Sequence, residues 1–343
     1  MIPVHLAIDL EPDERLPALG LGPGAGGLEA AGRALEAMAR WRGRLEEATG
    51  APVRFGWYLR MDRHMGAVFG DPLARAPRPE RALDAAMAAG DEIGLHVHCG
   101  EPSARGGWRV NYADAALVDD TIDEAAAAFA RCFGRPARAA RMGDMFASAR
   151  TLATFDALGV EVDLSLEQGL RAASMRGDYP GTDSIGARPS LLAVPPRPYR
   201  PSTRNVRRPA ENERDSLGLW AAPLTSYPAR GCADPRVWAL SALSAAVTGF
   251  KSPWARRVIR PQSERTQADL GRALAAALDS APQAPLCTAI RNFKHEDRIA
   301  RFLGALAARG RTLRFVAPDE YVKRAAQKQS AGAPVSEPPA PPG

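Results

Sequence analysis

Short apolar segments alternate with longer amphipathic segments along most of this chain. Seven stretches have the length and composition of buried strands: 3–9, 53–60, 92–98, 137–145, 160–165, 286–293 and 313–318. Five stretches between them have helical apolar spacing: 28–49, 79–90, 119–134, 148–159 and 297–310. This order predicts an α/β fold with a mainly parallel sheet covered by helices. The pattern alone does not distinguish an open sheet from a closed barrel.

The alternation stops between about 170 and 235, where the chain is rich in Pro, Gly and Arg. We interpret this stretch as an irregular insertion in a single domain spanning 1–326. Helical spacing returns at 235–247 and 264–280. The last segment, 327–343, is rich in Pro, Ala and Ser and lacks aromatic residues, which predicts a disordered tail.

Polar side chains are concentrated where the predicted strands end. In parallel α/β folds, functional groups gather at the carboxyl ends of the strands. The candidates at those positions are Asp9, Glu11, Asp13, Arg60, Asp62, His64, His96, His98, Arg141, Asp144, Asp163, Ser165, Asn292 and His295.

Two pairs among these candidates have the spacing of a metal site. His96 and His98 are two residues apart on a strand, so both side chains point to one face of the sheet, and the same holds for Asp9 and Glu11. Two imidazoles with a carboxylate suit Zn²⁺ or another divalent first-row ion that keeps one position open for water. The second carboxylate is then available as a base. Asp13 has the alternative role of capping a turn.

Composition narrows the class of protein. Apolar residues make up 45% of the 343 residues and charged residues 24%, which is typical of a globular chain. The net charge is +6, but the arginines are scattered, and the densest basic stretch, 197–208, is Pro-rich and is predicted to be a surface loop. We therefore expect no nucleic-acid partner.

Sequence signals for location are few. The four cysteines lack metal-binding spacing, which favours reduced thiols and a cytoplasmic location. No signal-peptide pattern and no apolar run of membrane-spanning length is present, so we expect no transmembrane span, although peripheral contact with a membrane stays open. The glycines at 20–27 come about ten residues after a strand and lack a GK[ST] ending, so they predict a loop at the rim of the sheet and not a nucleotide site.

Three segments resemble the motifs of one known family. The segment GDEIGLHVH at 90–98 resembles the G-H-E-I-G-x-H signature of the polysaccharide deacetylase (NodB-homology) family. The segment IDLEPD at 8–13 resembles the first motif of that family, and 141–165 resembles the third motif and the helix and strand that follow it. Weaker similarity at 191–202 and 314–322 extends the resemblance over roughly residues 1–322.

The resemblance implies a distorted (β/α) barrel and metal-dependent hydrolysis of N- or O-acetyl groups on a carbohydrate or glycoconjugate. It implies Asp9 as the general base, Arg141 as the residue that orients it, and His295 as the general acid. Glu11, His96 and His98 would bind the metal, with Zn²⁺ expected and Co²⁺ or Ni²⁺ as alternatives. Four more residues are expected in the wall of the site: Asp13, Arg60, Asp62 and Asp144.

The sequence departs from the family at the second metal histidine. In the family this residue follows the first by four positions, and Gly100 stands there in this chain. His98 can take its place, because positions two and four residues on share a face of a strand. The departure leaves a second hypothesis open, a catalytically inactive barrel that binds glycan or serves as a scaffold in polysaccharide biosynthesis. An amidohydrolase-type barrel also carries an H-x-H pair, but at the end of its first strand and not its third.

Overall fold

Eight parallel strands form the main sheet. The computed structural model describes residues 1–11, 29–69, 80–170, 172–179, 182–228, 258–259, 274, 285–291 and 296–330. Within these, the strands are β1 (Ile2–Leu10), β2 (Gly56–Arg60), β3 (Glu92–Val97), β4 (Gly100–Pro102), β5 (Trp108–Val110), β6 (Ala139–Met142), β7 (Val162–Asp163), β8 (Ala173–Ser174), β9 (Ala187–Arg188), β10 (Trp220–Ala221), β11 (Tyr227–Pro228), β12 (Val258–Ile259), β13 (Leu286–Arg291) and β14 (Leu313–Phe315). The α-helices are α1 (Glu29–Thr49), α2 (Arg63–Phe69), α3 (Glu80–Ala88), α4 (Ala115–Phe133), α5 (Ala149–Ala157), α6 (Met175–Asp178), α7 (Glu296–Ala307) and α8 (Pro318–Ser330).

The sheet curls into a half-barrel. Its strand order is β10-β7-β6-β3-β2-β1-β13, and β14 also pairs with β1. Helices connect most of the successive strands, which is the arrangement of a distorted (β/α) barrel. The fold class predicted from the sequence is confirmed. The predicted strands at 286–293 and 313–318 pair with β1, at the opposite end of the sheet from β7 and β10.

Alternation along β1 explains how the two faces of the sheet are built. Val4, Leu6 and Ile8 are buried in the large core between the sheet and the helices. Ala7 belongs to a second cluster on the opposite, inner face, which also contains Tyr58. Small residues make room for this tyrosine, because a Cβ at Gly94 would lie 2.7 Å from its ring.

Capping sets one helix boundary that the apolar pattern missed. The sequence predicts a helix over 119–134, but α4 begins at Ala115, because the Asp114 side chain accepts hydrogen bonds from the amides of Ala116 and Leu117. The other end agrees, since Gly134 closes the helix in the left-handed conformation at φ 67°.

The described residues from 170 to 228 form only short elements, including the antiparallel pair β8–β9 and the strand β10, which pairs with β7 at the end of the main sheet. The helices predicted at 235–247 and 264–280 lie outside the described residues, apart from Leu274. Helix α8 continues to Ser330, past residue 327 where the disordered tail was expected to begin, because Ala, Gln and Lys in KRAAQK favour helix. No helix in the described part of the chain is long and apolar enough to cross a membrane.

Candidate active site

Three side chains converge at the carboxyl end of the sheet. Glu11 follows β1, while His96 lies in β3 and His98 directly follows it. The Nε2 atom of His96 lies 3.2 Å from Oε1 of Glu11 and 3.0 Å from Nε2 of His98, and Nε2 of His98 lies 3.6 Å from Oε2 of Glu11. Tetrahedral zinc with bonds of 2.0–2.1 Å separates neighbouring donor atoms by about 3.3–3.4 Å. The three side chains therefore have the mutual spacing of a metal-ligand set.

Hydrogen bonds on the far side of each imidazole determine which nitrogen faces the site. Nδ1 of His96 lies 3.0 Å from the carbonyl oxygen of Arg141, so it must carry the proton and donate it. Nδ1 of His98 lies 3.4 Å from Oδ2 of Asp144, and this oxygen accepts a hydrogen bond from the Nδ1–H group. Both Nε2 atoms then present lone pairs to each other. Two lone pairs at this distance repel unless a proton or a metal ion lies between them, and this chemistry fits a divalent cation.

Charges in the site are stabilised by one another. Burial alone would raise the pKa of Glu11, but its hydrogen bonds with His96 and His98 hold that pKa well below the usual range. Burial and Arg60 lower the pKa of His98, but Asp144 and Glu11 outweigh them and raise it. The carboxylate of Glu11 is therefore ionised, as a metal ligand requires.

A buried ion pair lies beside the three-residue cluster. Nε of Arg141, in β6, is 3.2 Å from Oδ1 of Asp9, and neither side chain is exposed to solvent. Arg141 also donates from one terminal nitrogen to the carbonyl oxygen of Leu164. Asp9 lies in β1, two residues before Glu11, so the pair and the cluster share the inner face of the sheet.

Arg60 and Asp62 form the wall next to His98. Nε of Arg60 donates to Oδ2 of Asp62 at 2.7 Å, and the same oxygen accepts the backbone amide of His98 at 3.0 Å. Arg60 also contacts Nδ1 of His64 at 2.9 Å, and the His64 ring stacks on Trp108 with 4.1 Å between centroids. His64 therefore supports the wall and is not part of the metal-ligand cluster.

A short 3₁₀ turn, Gly143–Met145, packs against the His98 ring. A Cβ atom at position 143 would overlap that ring, so only glycine fits there. Asp144 and Met145 both adopt the left-handed region at φ 55°, which costs roughly 1–2 kcal/mol for each non-glycine residue. Such strain persists only where the surroundings hold it, and here it aims Asp144 at His98.

The structure brings together most of the residues that the sequence predicted. Glu11, His96 and His98 form the cluster, Asp9 and Arg141 form the adjacent pair, and Arg60, Asp62 and Asp144 line it. Asp13 and His295 lie outside the described residues. Sequence reasoning missed Tyr112 and Tyr179, whose hydroxyls donate to Asp144. No motif marks either tyrosine, because each lies in an irregular segment.

Comparison with known proteins identifies the fold. No protein-family profile matches this chain, and no curated protein sequence does. A candidate glycoside hydrolase/deacetylase from Parabacteroides distasonis superposes with a TM-score of 0.51 and 12% identity, over 96% of this chain and 71% of that one. Puue allantoinase gives a TM-score of 0.50 and 13% identity, over 94% and 89%. A candidate polysaccharide deacetylase from Mycobacterium smegmatis gives 0.49 and 14%, over 98% and 94%.

The chain shares the fold of the candidate glycoside hydrolase/deacetylase from Parabacteroides distasonis. At these identities the similarity extends to the fold alone, and the deacetylase fold is also shared by a protein named as an allantoinase. The site must therefore be argued from its own residues. Gly100 stands where the sequence resemblance places a second metal histidine, and an added Cβ there would lie 3.4 Å from His64 and Trp108, which is an ordinary contact distance. His98 supplies the second imidazole from two residues earlier on the same face.

Proposed function

We propose that this protein is a metal-dependent hydrolase that removes an acyl group, in particular an N-acetyl group, from a carbohydrate or glycoconjugate. The observation that carries the proposal is the convergence of Glu11, His96 and His98 beside the buried Asp9–Arg141 pair. A trio of donors with a separate carboxylate supplies both parts that hydrolysis requires, a metal site and a base. The deacetylase fold is consistent with this chemistry.

In the proposed mechanism, Glu11, His96 and His98 would hold Zn²⁺, with Co²⁺ or Ni²⁺ as alternatives. A bound divalent ion would polarise the acyl carbonyl and lower the pKa of its water. Asp9 would serve as the base that accepts a proton from the attacking water, and Arg141, 3.2 Å from its carboxylate, would hold that carboxylate in orientation. His295 is proposed, from the sequence resemblance, as the acid that protonates the leaving amine or alcohol.

The hypothesis of an inactive barrel was based on the altered histidine spacing. The structure removes much of its support, because His98 reaches both His96 and Glu11 in spite of that spacing. A carbohydrate ligand, without a nucleic-acid partner, remains our proposal for the substrate. The cytoplasmic location expected from the sequence would favour a small glycoside or a lipid-linked or nucleotide-linked sugar over a finished polymer.

Metal content tests the proposal most directly. Elemental mass spectrometry should find about one divalent ion per chain in the wild type. The ion should be lost in His96→Ala/His98→Ala and retained in His64→Gln, which removes an imidazole outside the cluster. Absence of metal in the wild type after incubation with Zn²⁺, Co²⁺ or Ni²⁺ would contradict the proposal.

Substrate class is tested on the metal-loaded protein. Release of acetate should be measured with N-acetylated monosaccharides, nucleotide-linked N-acetylated amino sugars and acetylated polymer. Ring opening of allantoin, which contains no acetyl group, is measured separately as a comparison. We expect hydrolysis of the small acetylated sugars. Turnover of allantoin alone would exclude the carbohydrate proposal while leaving the metal site intact.

A further inference from the structure

Asp144 lies at the centre of a buried network behind His98. Its Oδ2 atom is 3.4 Å from Nδ1 of His98, on the side of the ring opposite the cluster with Glu11. The hydroxyl of Tyr179 lies 2.8 Å from both carboxylate oxygens of Asp144, and the hydroxyl of Tyr112 lies 3.2 Å from Oδ2. Asp144 itself is only 2% exposed. The carboxylate is therefore fixed by donors that come from other segments of the chain.

These donors come from outside the main sheet. Tyr112 follows the β4–β5 hairpin, and Tyr179 follows the short helix α6 in the irregular insertion. Arg188, in β9 of the same insertion, donates from a terminal nitrogen to the backbone carbonyl of Asp144 at 3.2 Å. Two segments that are remote in sequence thus hold both the side chain and the backbone of one residue.

The turn that carries Asp144 is shaped around the His98 ring. Gly143 leaves the space that the ring fills, and Asp144 keeps a left-handed conformation that directs its carboxylate to Nδ1. The sequence resemblance predicts neither feature. The pair His96 and His98 and the Gly143–Met145 turn are in direct contact, because the turn packs against the His98 ring.

We propose that Asp144 is the positioning residue that makes His98 a metal ligand. It accepts the Nδ1 proton of His98, which keeps the Nε2 lone pair directed at the site, and Tyr112 and Tyr179 hold the carboxylate in place. This inference rests on the proposed metal-dependent function. It goes beyond that function by assigning a role to the turn and to the two tyrosines.

The experiment measures metal affinity by competition with a chromophoric chelator, using Co²⁺ and Zn²⁺, and records the visible absorption of the Co²⁺-loaded protein. Asp144→Asn keeps the size of the side chain but replaces the carboxylate with a neutral amide. The amide oxygen is a weaker acceptor for the Nδ1 proton of His98, and an amide nitrogen turned to the ring cannot accept that proton at all. We expect affinity to fall about 10–100-fold and the Co²⁺ absorption to change. Asp91→Asn is the control, because Asp91 is also buried but pairs with Arg42 and directly precedes β3, at the end of that strand away from His96. It should bind metal as the wild type does.

A double-mutant cycle separates positioning from a general structural effect. In a His98→Ala background, Asp144→Asn should cause no further loss of affinity, because the residue that it orients is gone. An equal loss in both backgrounds, or wild-type affinity and spectrum in Asp144→Asn, would overturn the inference. If Asp144→Asn does not fold, Tyr112→Phe/Tyr179→Phe, which removes only two hydroxyls, should show a smaller loss that also disappears in the His98→Ala background.

The outcomes distinguish this inference from the function on which it rests. A wild type that binds Co²⁺, with coupling between Asp144 and His98 but no acyl hydrolysis, would refute the proposed reaction and support the positioning role. A wild type that binds Co²⁺ tightly and hydrolyses the acyl group, without coupling between Asp144 and His98, would support the proposed reaction and refute the positioning role. A wild type that binds no ion would overturn both.

Discussion

Asp9 and Glu11 show how two carboxylates on one strand can have different chemistry. Glu11 lies against two imidazoles, while Asp9 lies against the guanidinium of Arg141. The environment of Glu11 suits a ligand of a metal ion, and the environment of Asp9 suits a base that accepts a proton. Their spacing of two residues was readable in the sequence, because a strand places such residues on one face. The different partners of the two carboxylates could not be read from the sequence, because those partners come from β3 and β6 and the residue that follows β3.

Replacement of Asp9 by Asn tests the division of roles. We expect hydrolysis of an acetylated sugar to fall by about 10²–10⁴-fold, because the amide cannot accept the proton of water. The content of Zn²⁺ should stay at the wild-type value, since Glu11, His96 and His98 are unchanged. Both quantities are measured on the same preparation.

The corresponding Glu11→Gln variant serves as the comparison, because it should lose metal as well as activity. If Asp9→Asn lost its metal while Glu11→Gln kept it, the two roles would have to be exchanged.

At the scale of elements, the strands were predictable and the connections were not. The apolar stretches at 3–9, 92–98 and 286–293 correspond to β1, β3 and β13, because the strands of a covered parallel sheet are continuously apolar. Their order in the sheet, and the pairing of β13 and β14 with β1, depends on contacts between distant residues that no local pattern encodes.

The contacts of the turn after β6 could not be predicted from the sequence either. The sequence R-M-G-D-M predicts an exit loop, but it does not show that Gly143 lies under the His98 ring or that Asp144 meets Tyr112 and Tyr179. These contacts depend on where the hairpin and the insertion pack. A glycine directly after a strand is a general sign of close approach, although it does not identify the approaching group.

Gly143→Ala tests the fit between this turn and β3. The added methyl group overlaps the His98 ring, so the ring must move and affinity for Zn²⁺ should fall by at least about 10-fold. Thermal unfolding should also shift to lower temperature, because the turn is enclosed by the network around Asp144. Calorimetry and chelator competition measure the two effects.

Gly177→Ala is the matched control, since an added Cβ there has no neighbour within 4 Å and the residue lies in helix α6. It should leave both quantities unchanged. Wild-type metal affinity in Gly143→Ala would show that the ring has room to adjust.

At the scale of the whole molecule, buried titratable groups outside the metal-ligand cluster determine how stability depends on pH. Burial raises the pKa of Asp163 to about 6, although hydrogen bonds from Ser165 and the charge of Arg141 oppose the shift. Burial also lowers the pKa of His5 to about 4, and this neutral imidazole contacts the carbonyl oxygen of Val316 and the hydroxyl of Tyr58. The two groups affect stability in opposite directions as pH changes.

Asp163→Asn should change the slope of stability against pH. The pKa of this carboxyl is near 6 in the folded state and 3.8 in the ordinary state. Its protonated form therefore stabilises the folded state at low pH. This contribution is lost as pH rises from about 4 to 6. The amide does not titrate. Between pH 4 and 7, the free energy of unfolding of the variant should therefore rise relative to that of the wild type by on the order of 3 kcal/mol.

Urea unfolding across this pH range measures the difference, and Asp120→Asn, which replaces an exposed carboxylate, is the control. Parallel pH profiles for Asp163→Asn and the wild type would contradict the burial argument.

The position of β1 in the sheet has a consequence for the order of folding. Its pairing with β2 joins segments about 50 residues apart, whereas Val4 pairs with Leu286 and Ile2 pairs with Leu313. The neighbouring strands that carry the described site residues all precede residue 146, so a nascent chain can assemble them first. One edge of β1 then stays unpaired until β13 is synthesised. Closing the long loop between β1 and β13 is entropically costly and slow. Until β13 pairs with it, that edge offers unpaired amides and carbonyls to other chains, which makes the incomplete protein a natural client for chaperones.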